Sequence, residues 1–296
     1  MKLVTFTDPA GASRVGVLRD DHVVAVDVPD MRTLFERGDA GMEQAESASG
    51  PEYGLADVGL EAPIVPKKFF HTAGNFREHE EESKRVDWSH EIAPWIMFFQ
   101  NLDSIVGPDQ AVIYPDHLTS ELDYELELCV ILRKGGKHFG PDDARDYIGG
   151  YTIFNDITAR DIQREEMRSG VFSFCKAIDT FSPLGPWIVT PDELGDPHDL
   201  EMELRVNGDV RQSSHSSRMS VSIPEILAHY SPLVYSAGDV LSTGTVSGVA
   251  GFRQDADQYY LRPGDVIECA IERIGVLRNP VISWQEAYGE PAPVRP

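Results

Sequence analysis

The stretch Glu121-Leu-Asp-Tyr-Glu-Leu-Glu-Leu-Cys-Val-Ile-Leu132 alternates apolar and acidic residues and then turns wholly apolar. In a β-strand successive side chains point to opposite faces, so Leu122, Tyr124, Leu126 and Leu128 share one face and Asp123, Glu125 and Glu127 the other. From Cys129 to Leu132 no polar face is left, the pattern of a strand covered on both sides. The acidic face therefore leads into the protein interior. Buried carboxylates two residues apart repel one another, and protonation, pairing with cations or a shared metal relieves the repulsion.

Working outward, Tyr151 to Asn155 reads as a second strand with Asp156 at its exit, a place where site residues often stand. Glu125, Glu127 and Asp156, with neither Cys nor His beside them, suit Mg2+, Mn2+ or Ca2+ rather than zinc and leave coordination positions for water and substrate. The same spacing also describes an ordinary amphipathic strand whose glutamates are solvated, with Asp156 capping the next helix.

Three further segments carry chemistry. In Gly74-Asn-Phe-Arg-Glu-His79-Glu-Glu-Glu82, His79 and Glu82 lie one helical turn apart. A carboxylate against one ring nitrogen fixes the tautomer and raises basicity, as a general base requires; a solvated acidic helix with an incidental histidine is the plain reading. Lys176, preceded by Phe174 and Cys175, is costly to bury unless a carboxylate or a substrate anion answers it, and a surface lysine or a partner of Asp179 are the other readings. Ser242-Thr-Gly-Thr245 offers hydroxyls and backbone N–H groups to a carboxylate, or makes an unremarkable loop.

Around these segments the chain is β-rich. Strands are expected at Lys2 to Thr7, His22 to Val28, Trp95 to Gln100, Trp187 to Thr190, Glu201 to Val206 and Val266 to Ile274, and helices at Thr33 to Arg37, Ile157 to Met167 and Ile223 to Tyr235. No regular βαβ alternation occurs, which argues against a doubly wound parallel sheet. Pro63 and Pro66 mark an expected boundary between a small β-rich N-terminal domain, 1–65, and a larger domain, 66–296.

Acidic residues number 49 against 26 basic ones, a net charge of -23 that would repel phosphate backbones and anionic lipid head groups, so neither nucleic acid nor membrane is an expected partner. Three scattered cysteines without a CxxC pair indicate neither a disulfide framework nor a thiolate zinc site. With no leading apolar segment and no run of roughly 20 apolar residues, cytoplasmic residence is expected.

Taken in order, Gly74-Asn-Phe-Arg-Glu-His79, Asp123-Tyr-Glu-Leu-Glu-Leu128, Phe154-Asn-Asp-Ile-Thr-Ala-Arg-Asp-Ile-Gln163, Lys176 with Asp179-Thr-Phe-Ser-Pro-Leu-Gly-Pro-Trp187, Val206-Asn-Gly208, Ser242-Thr-Gly-Thr245 and Pro263-Gly-Asp265 resemble the signature of the fumarylacetoacetate hydrolase superfamily from about Phe69 to Val281. The resemblance implies a mostly β, α+β fold of sandwich or roll type with few helices, usually assembled as a homodimer. It implies that Glu125, Glu127 and Asp156 hold Mg2+ or Mn2+. His79 and Glu82 would then activate water, Lys176 would help the metal polarise the substrate, and Gln163, Thr245 and Arg160 would contact substrate. The expected reaction is hydrolysis of a C–C bond in a small 1,3-dioxo or 2-oxo carboxylic acid, an acylpyruvate or aromatic ring-cleavage product. Without a well-placed water the same centre would decarboxylate, isomerise, tautomerise or dehydrate such an acid. A non-enzymatic β domain stabilised by Ca2+ is the remaining alternative.

The chain departs from the family pattern at Gln100, where lysine is common, at Val246 and Ser247, where proline follows the Thr-Gly-Thr motif, and at Phe76, where tyrosine is frequent. Specificity is expected to rest on loops, including Glu81 to Pro94, whose Lys84, Arg85, Asp87, Trp88 and His90 suit a lid over an anionic substrate.

Overall fold

In the computed structural model the expected acidic strand is broken in two. Leu122–Asp123 pairs antiparallel with Thr158–Ala159, and Leu126–Leu132 becomes a central strand. The alternation nevertheless survives the break. Leu122, Tyr124, Leu126, Leu128, Val130 and Leu132 pack into one core with Leu204, Ile267 and Leu277, while Cys129 and Ile131 pack the other way with Leu3, Phe69, Phe154 and Val240. Each buried aliphatic side chain contributes about 1.5–3 kcal/mol, so a one-residue slip that turned Glu125 and Glu127 into the larger core is strongly disfavoured. Residues 1–84 and 95–293 are described; the 85–94 part of the expected lid lies outside them.

The large sheet runs in the order Glu52–Gly54, His22–Val26, Ser13–Arg19, Lys2–Thr7, Ser182–Val189, Ile148–Asn155, Leu126–Leu132, Val240–Thr245, Phe69–Ala73, Ile96–Phe99. Lys2 sits opposite Val189 and Leu3 opposite Ile188, so the N-terminal strands extend the same sheet. A second sheet, ordered Asp209–His215, Glu201–Val206, Val266–Ile271, Gly275–Ser283, Val112–Tyr114, meets the first through the larger core. The architecture is mostly β with short helices, the α+β class expected from the sequence.

Register determines what meets at the site. Leu126–Leu132 is antiparallel to both neighbours, with Leu126 opposite Asn155 and Glu127 opposite both Phe154 and Thr245. Phe69–Ala73 runs parallel to Val240–Thr245, with His71 opposite Ser242. The start of the central strand thus meets the ends of three others at one end of the sheet.

The helices are shorter than their apolar patterns. Ile157 to Met167 becomes Arg160–Met167, because Thr158 and Ala159 pair as a strand. The helix Ile223–His229 opens on a capping box between Ser222 and Glu225 and stops before Pro232, which cannot sit inside a helix. Near the N-terminus Met31–Glu36 is joined by Asp39–Glu46, a helix beyond the one expected at Thr33 to Arg37. No helix among the described residues is long and apolar enough to cross a membrane.

Candidate functional site

Backbone pairing carries Asp156 to the two glutamates. Its N–H donates to the Glu125 carbonyl at 2.9 Å, and the Glu125 N–H donates to Asn155 Oδ1 at 2.9 Å. Glu125, Glu127, Asp156, His79, Arg160, Gln163, Lys176 and Thr245 all line one cavity, together with Phe172 and Phe252.

Two buried cations organise the acids. Arg160 donates from Nε to Asp123 Oδ2 at 2.7 Å, from Nη2 to Glu125 Oε1 at 2.6 Å and from Nη1 to Gln163 Oε1 at 2.9 Å. Asp123 also accepts the N–H groups of Ala250 and Gly251, each at 2.8 Å. Gly251 has to lack a side chain here, since a Cβ would stand 2.9 Å from Arg160. Lys176 Nζ donates to Glu125 Oε2 at 2.9 Å, Asp156 Oδ2 at 2.6 Å and Thr158 Oγ1 at 2.7 Å, so its partners are these acids and not Asp179.

Protonation follows from this geometry. Burial pushes Glu125 up, but Lys176, Arg160 and then His79 outweigh it and hold the carboxyl at about 2. Asp156 goes the other way, to about 6, because burial, with Glu125 and Glu127 adding to it, exceeds the help of Lys176 and His71. Burial alone would lower Lys176, yet Asp156 and Glu125 hold it above its ordinary value, so it remains an ammonium.

Of the Lys and Arg side chains among the described residues, only Arg160 and Lys176 pair with Asp123, Glu125, Glu127 and Asp156, which leaves two negative charges without such a partner. Glu127 accepts from the Ser242 hydroxyl, and the buried Asp156 Oδ1 has no hydrogen-bond partner. An orphaned carboxylate oxygen and two uncompensated charges at oxygen donors fit a divalent cation; Glu127 and Asp156 bring donor atoms within 4.8 Å of each other, while both oxygens of Glu125 are taken by Arg160 and Lys176.

His79 and Glu82 lie on the helix Arg77–Ser83, and Nδ1 stands 2.8 Å from Glu82 Oε1. The other oxygen of Glu82 accepts the Gly248 N–H at 2.8 Å, and Phe252 stacks on the imidazole at 5.1 Å, so the pair is held from two sides. Thr245 is fixed from behind by Gln212, whose amide donates to Thr245 Oγ1 at 3.1 Å and to the Val246 carbonyl at 2.7 Å while its oxygen accepts the Leu126 N–H at 2.8 Å.

Sequence reasoning missed Gln212, Glu166 and His71. Glu166 accepts the N–H groups of Ser173, Phe174 and Cys175 at 2.9 to 3.2 Å, and so holds the start of Phe174–Ala177, the short helix that carries Lys176. Gln100 and Asn101 hold its end: their amides donate to the carbonyls of Lys176 at 2.7 Å and Ala177 at 2.9 Å. The departure at Gln100 is thus a support under the lysine. His71 lies with Glu127 and Asp156 in a buried group whose donor atoms all fall within 4.8 Å of one another.

Residues 68–282 match the family described as fumarylacetoacetate (FAA) hydrolase C-terminal. A mitochondrial oxaloacetate tautomerase of Rattus norvegicus is 36% identical over 259 residues, 85% of this chain and 79% of the relative. The solved structure of fumarylacetoacetate hydrolase from Exiguobacterium antarcticum superposes with a TM-score of 0.81 at 34% identity, covering 96% of this chain and 99% of that one. Maleylpyruvate hydrolase from Sphingobium, solved in complex with manganese (II) ion and pyruvate, gives 0.75 at 26% identity over 96% of this chain and 99% of that one. With the family match running through every segment that builds the cavity, the chain belongs to the fumarylacetoacetate hydrolase family.

Proposed function

We propose that this protein is a divalent-metal-dependent tautomerase or isomerase of a small 2-oxo dicarboxylic acid, with oxaloacetate the first substrate to test. The reading is carried by one observation: a carboxylate cluster with two uncompensated charges shares its cavity with a buried ammonium and a carboxylate-held imidazole. The named activity of the rat relative favours tautomerisation over the C–C hydrolysis expected from the sequence.

A cation bound by Glu125, Glu127 and Asp156 supplies Lewis-acid polarisation of the 2-oxo group. The chain's own residues do the rest. Glu82, an acceptor when ionised, accepts the hydrogen bond of the His79 Nδ1–H, and the tautomer so held keeps its lone pair on Nε2. That nitrogen removes a proton from the carbon beside the carbonyl, and the imidazolium returns a proton to the oxygen, so the substrate gains and loses no atom. Lys176 stabilises charge developing on that oxygen. Both terminal nitrogens of Arg160 keep a second N–H for a substrate carboxylate, beside Gln163 and Thr245.

Hydrolysis is the second reading, because the His79–Glu82 pair also suits activation of water. Ultraviolet absorbance of the oxaloacetate enol, followed with Mg2+ or Mn2+, separates the two when products are weighed by mass spectrometry. Enol–keto conversion faster than the spontaneous rate, without chain cleavage, supports the proposal; fragments whose summed mass includes one water support hydrolysis; neither outcome with either ion sinks both. His79→Ala is expected to lose about 100-fold or more in turnover while retaining metal. The homodimer belongs to the same proposal, and a monomer in sedimentation velocity at micromolar concentration would remove it.

A further inference from the structure

His71 is fully buried on Phe69–Ala73, and neither of its ring nitrogens has a hydrogen-bond partner. An unpaired imidazole in the interior costs free energy, so its position calls for a reason. Its Nδ1 lies 3.7 Å from Glu127 Oε2 and 3.9 Å from Asp156 Oδ2, too long for hydrogen bonds. Two donors bound at about 2.1 Å to one ion stand roughly 3 to 4 Å apart, which is the spacing seen. Aromatic neighbours fix the ring plane: Phe69 stacks on one side at 4.8 Å and Phe98 on the other at 4.4 Å, and only the edge of the ring is left to meet the acids.

We infer that His71 is a nitrogen donor to the cation held by Glu127 and Asp156, so that the centre has a mixed oxygen and nitrogen ligand set. The inference rests on the metal centre proposed above. Oxygen-only sites of this kind suit Mg2+, whereas an imidazole shifts preference toward later divalent ions, in the order Mn2+, Fe2+, Co2+. His71 then sets which ion the site prefers, while Glu125, Glu127 and Asp156 set that it binds one.

Two measurements on the metal-stripped full chain test this. Pulsed EPR of the Mn2+-loaded protein is expected to show 14N modulation from a bound imidazole, retained in His79→Ala and absent in His71→Phe, which keeps the aromatic stack. Calorimetric titration with CoCl2 and MgCl2 is expected to show a Co2+-to-Mg2+ affinity ratio about tenfold lower in His71→Phe. Absence of 14N modulation in the wild type overturns the inference, as does an unchanged ratio in the folded variant. Should His71→Phe not fold, the wild-type spectrum decides alone. A wild type that binds none of the three ions sinks the metal centre itself, whereas binding that is lost in Glu127→Gln but shows no nitrogen coupling sinks only the role of His71.

Discussion

The side-chain amide of Gln100 donates to the backbone carbonyl of Lys176 at 2.7 Å, and the same nitrogen reaches Ser182 Oγ at 2.6 Å. One buried amide thereby ties the lysine-bearing turn to a strand of the large sheet. Gln100→Leu leaves the buried Lys176 carbonyl unanswered, Ser182 Oγ keeping its bond to Ser104, and is expected to cost about 1–3 kcal/mol in urea unfolding. Because the turn aims the ammonium, kcat is expected to fall with little change in KM. Full kcat in a destabilised variant would confine the bond to folding.

Arg160 answers Asp123, Glu125 and Gln163 at once with three different nitrogens. Arg160→Leu strands two buried carboxylates and is expected to destabilise by about 3–5 kcal/mol. Arg160→Lys restores charge without the planar fork, and equilibrium unfolding should place it between the two. A lysine variant as stable as wild type would show that charge alone suffices.

Glu166 supplies a pH dependence. Burial raises its carboxyl, but hydrogen bonds from the backbone of Cys175 and Phe174, from the Cys175 thiol and from Ser173 outweigh burial and hold it below its ordinary value of 4.5. A depressed folded value means the contribution is complete above pH 4.5 and is lost as pH falls through the folded value. The difference in melting temperature between wild type and Glu166→Gln should therefore be constant from neutral pH down to about 4.5 and shrink below it. A gap that persists at pH 3 would count against the assignment.

Glu127 is the acid of the cluster that touches neither Lys176 nor Arg160; it accepts from Ser242 instead. Glu127→Gln keeps the shape and removes one repelling charge. The metal-free variant is expected to melt about 2–3 °C higher than wild type, yet to lose the further rise that MnCl2 gives the wild type. An equal Mn2+-dependent rise in both proteins would remove Glu127 from the centre.

Much of the cavity was legible because its chemistry is costly. Two glutamates entering a strand without a polar face, and a lysine beside Phe174 and Cys175, are arrangements that folding tolerates only with partners, and the structure pairs Glu125 with Lys176. What stayed hidden is register. Nothing local in Phe69-Phe-His-Thr-Ala73 marks His71 as more than a core residue until the parallel pairing with Val240–Thr245 sets it against Ser242 and the acids. Gln212 and Glu166 act on backbone groups many residues away, contacts that leave no periodic trace. The helix Asp39–Glu46 was missed for another reason: only Gly41 and Ala45 are buried in it, so it has no apolar stripe to read.

The acids sit where central strands begin and end, whereas Phe172 and Phe252, which line the same cavity, belong to connecting segments outside those strands. The carboxylates and these two aromatic side chains thus come from different parts of the fold. Exchanges at Phe172 and Phe252 that leave the backbone in place reshape what enters while the strands keep Glu127 and its neighbours where they are, so diversification of substrates over one ion-binding floor is the course that this architecture leaves open to selection.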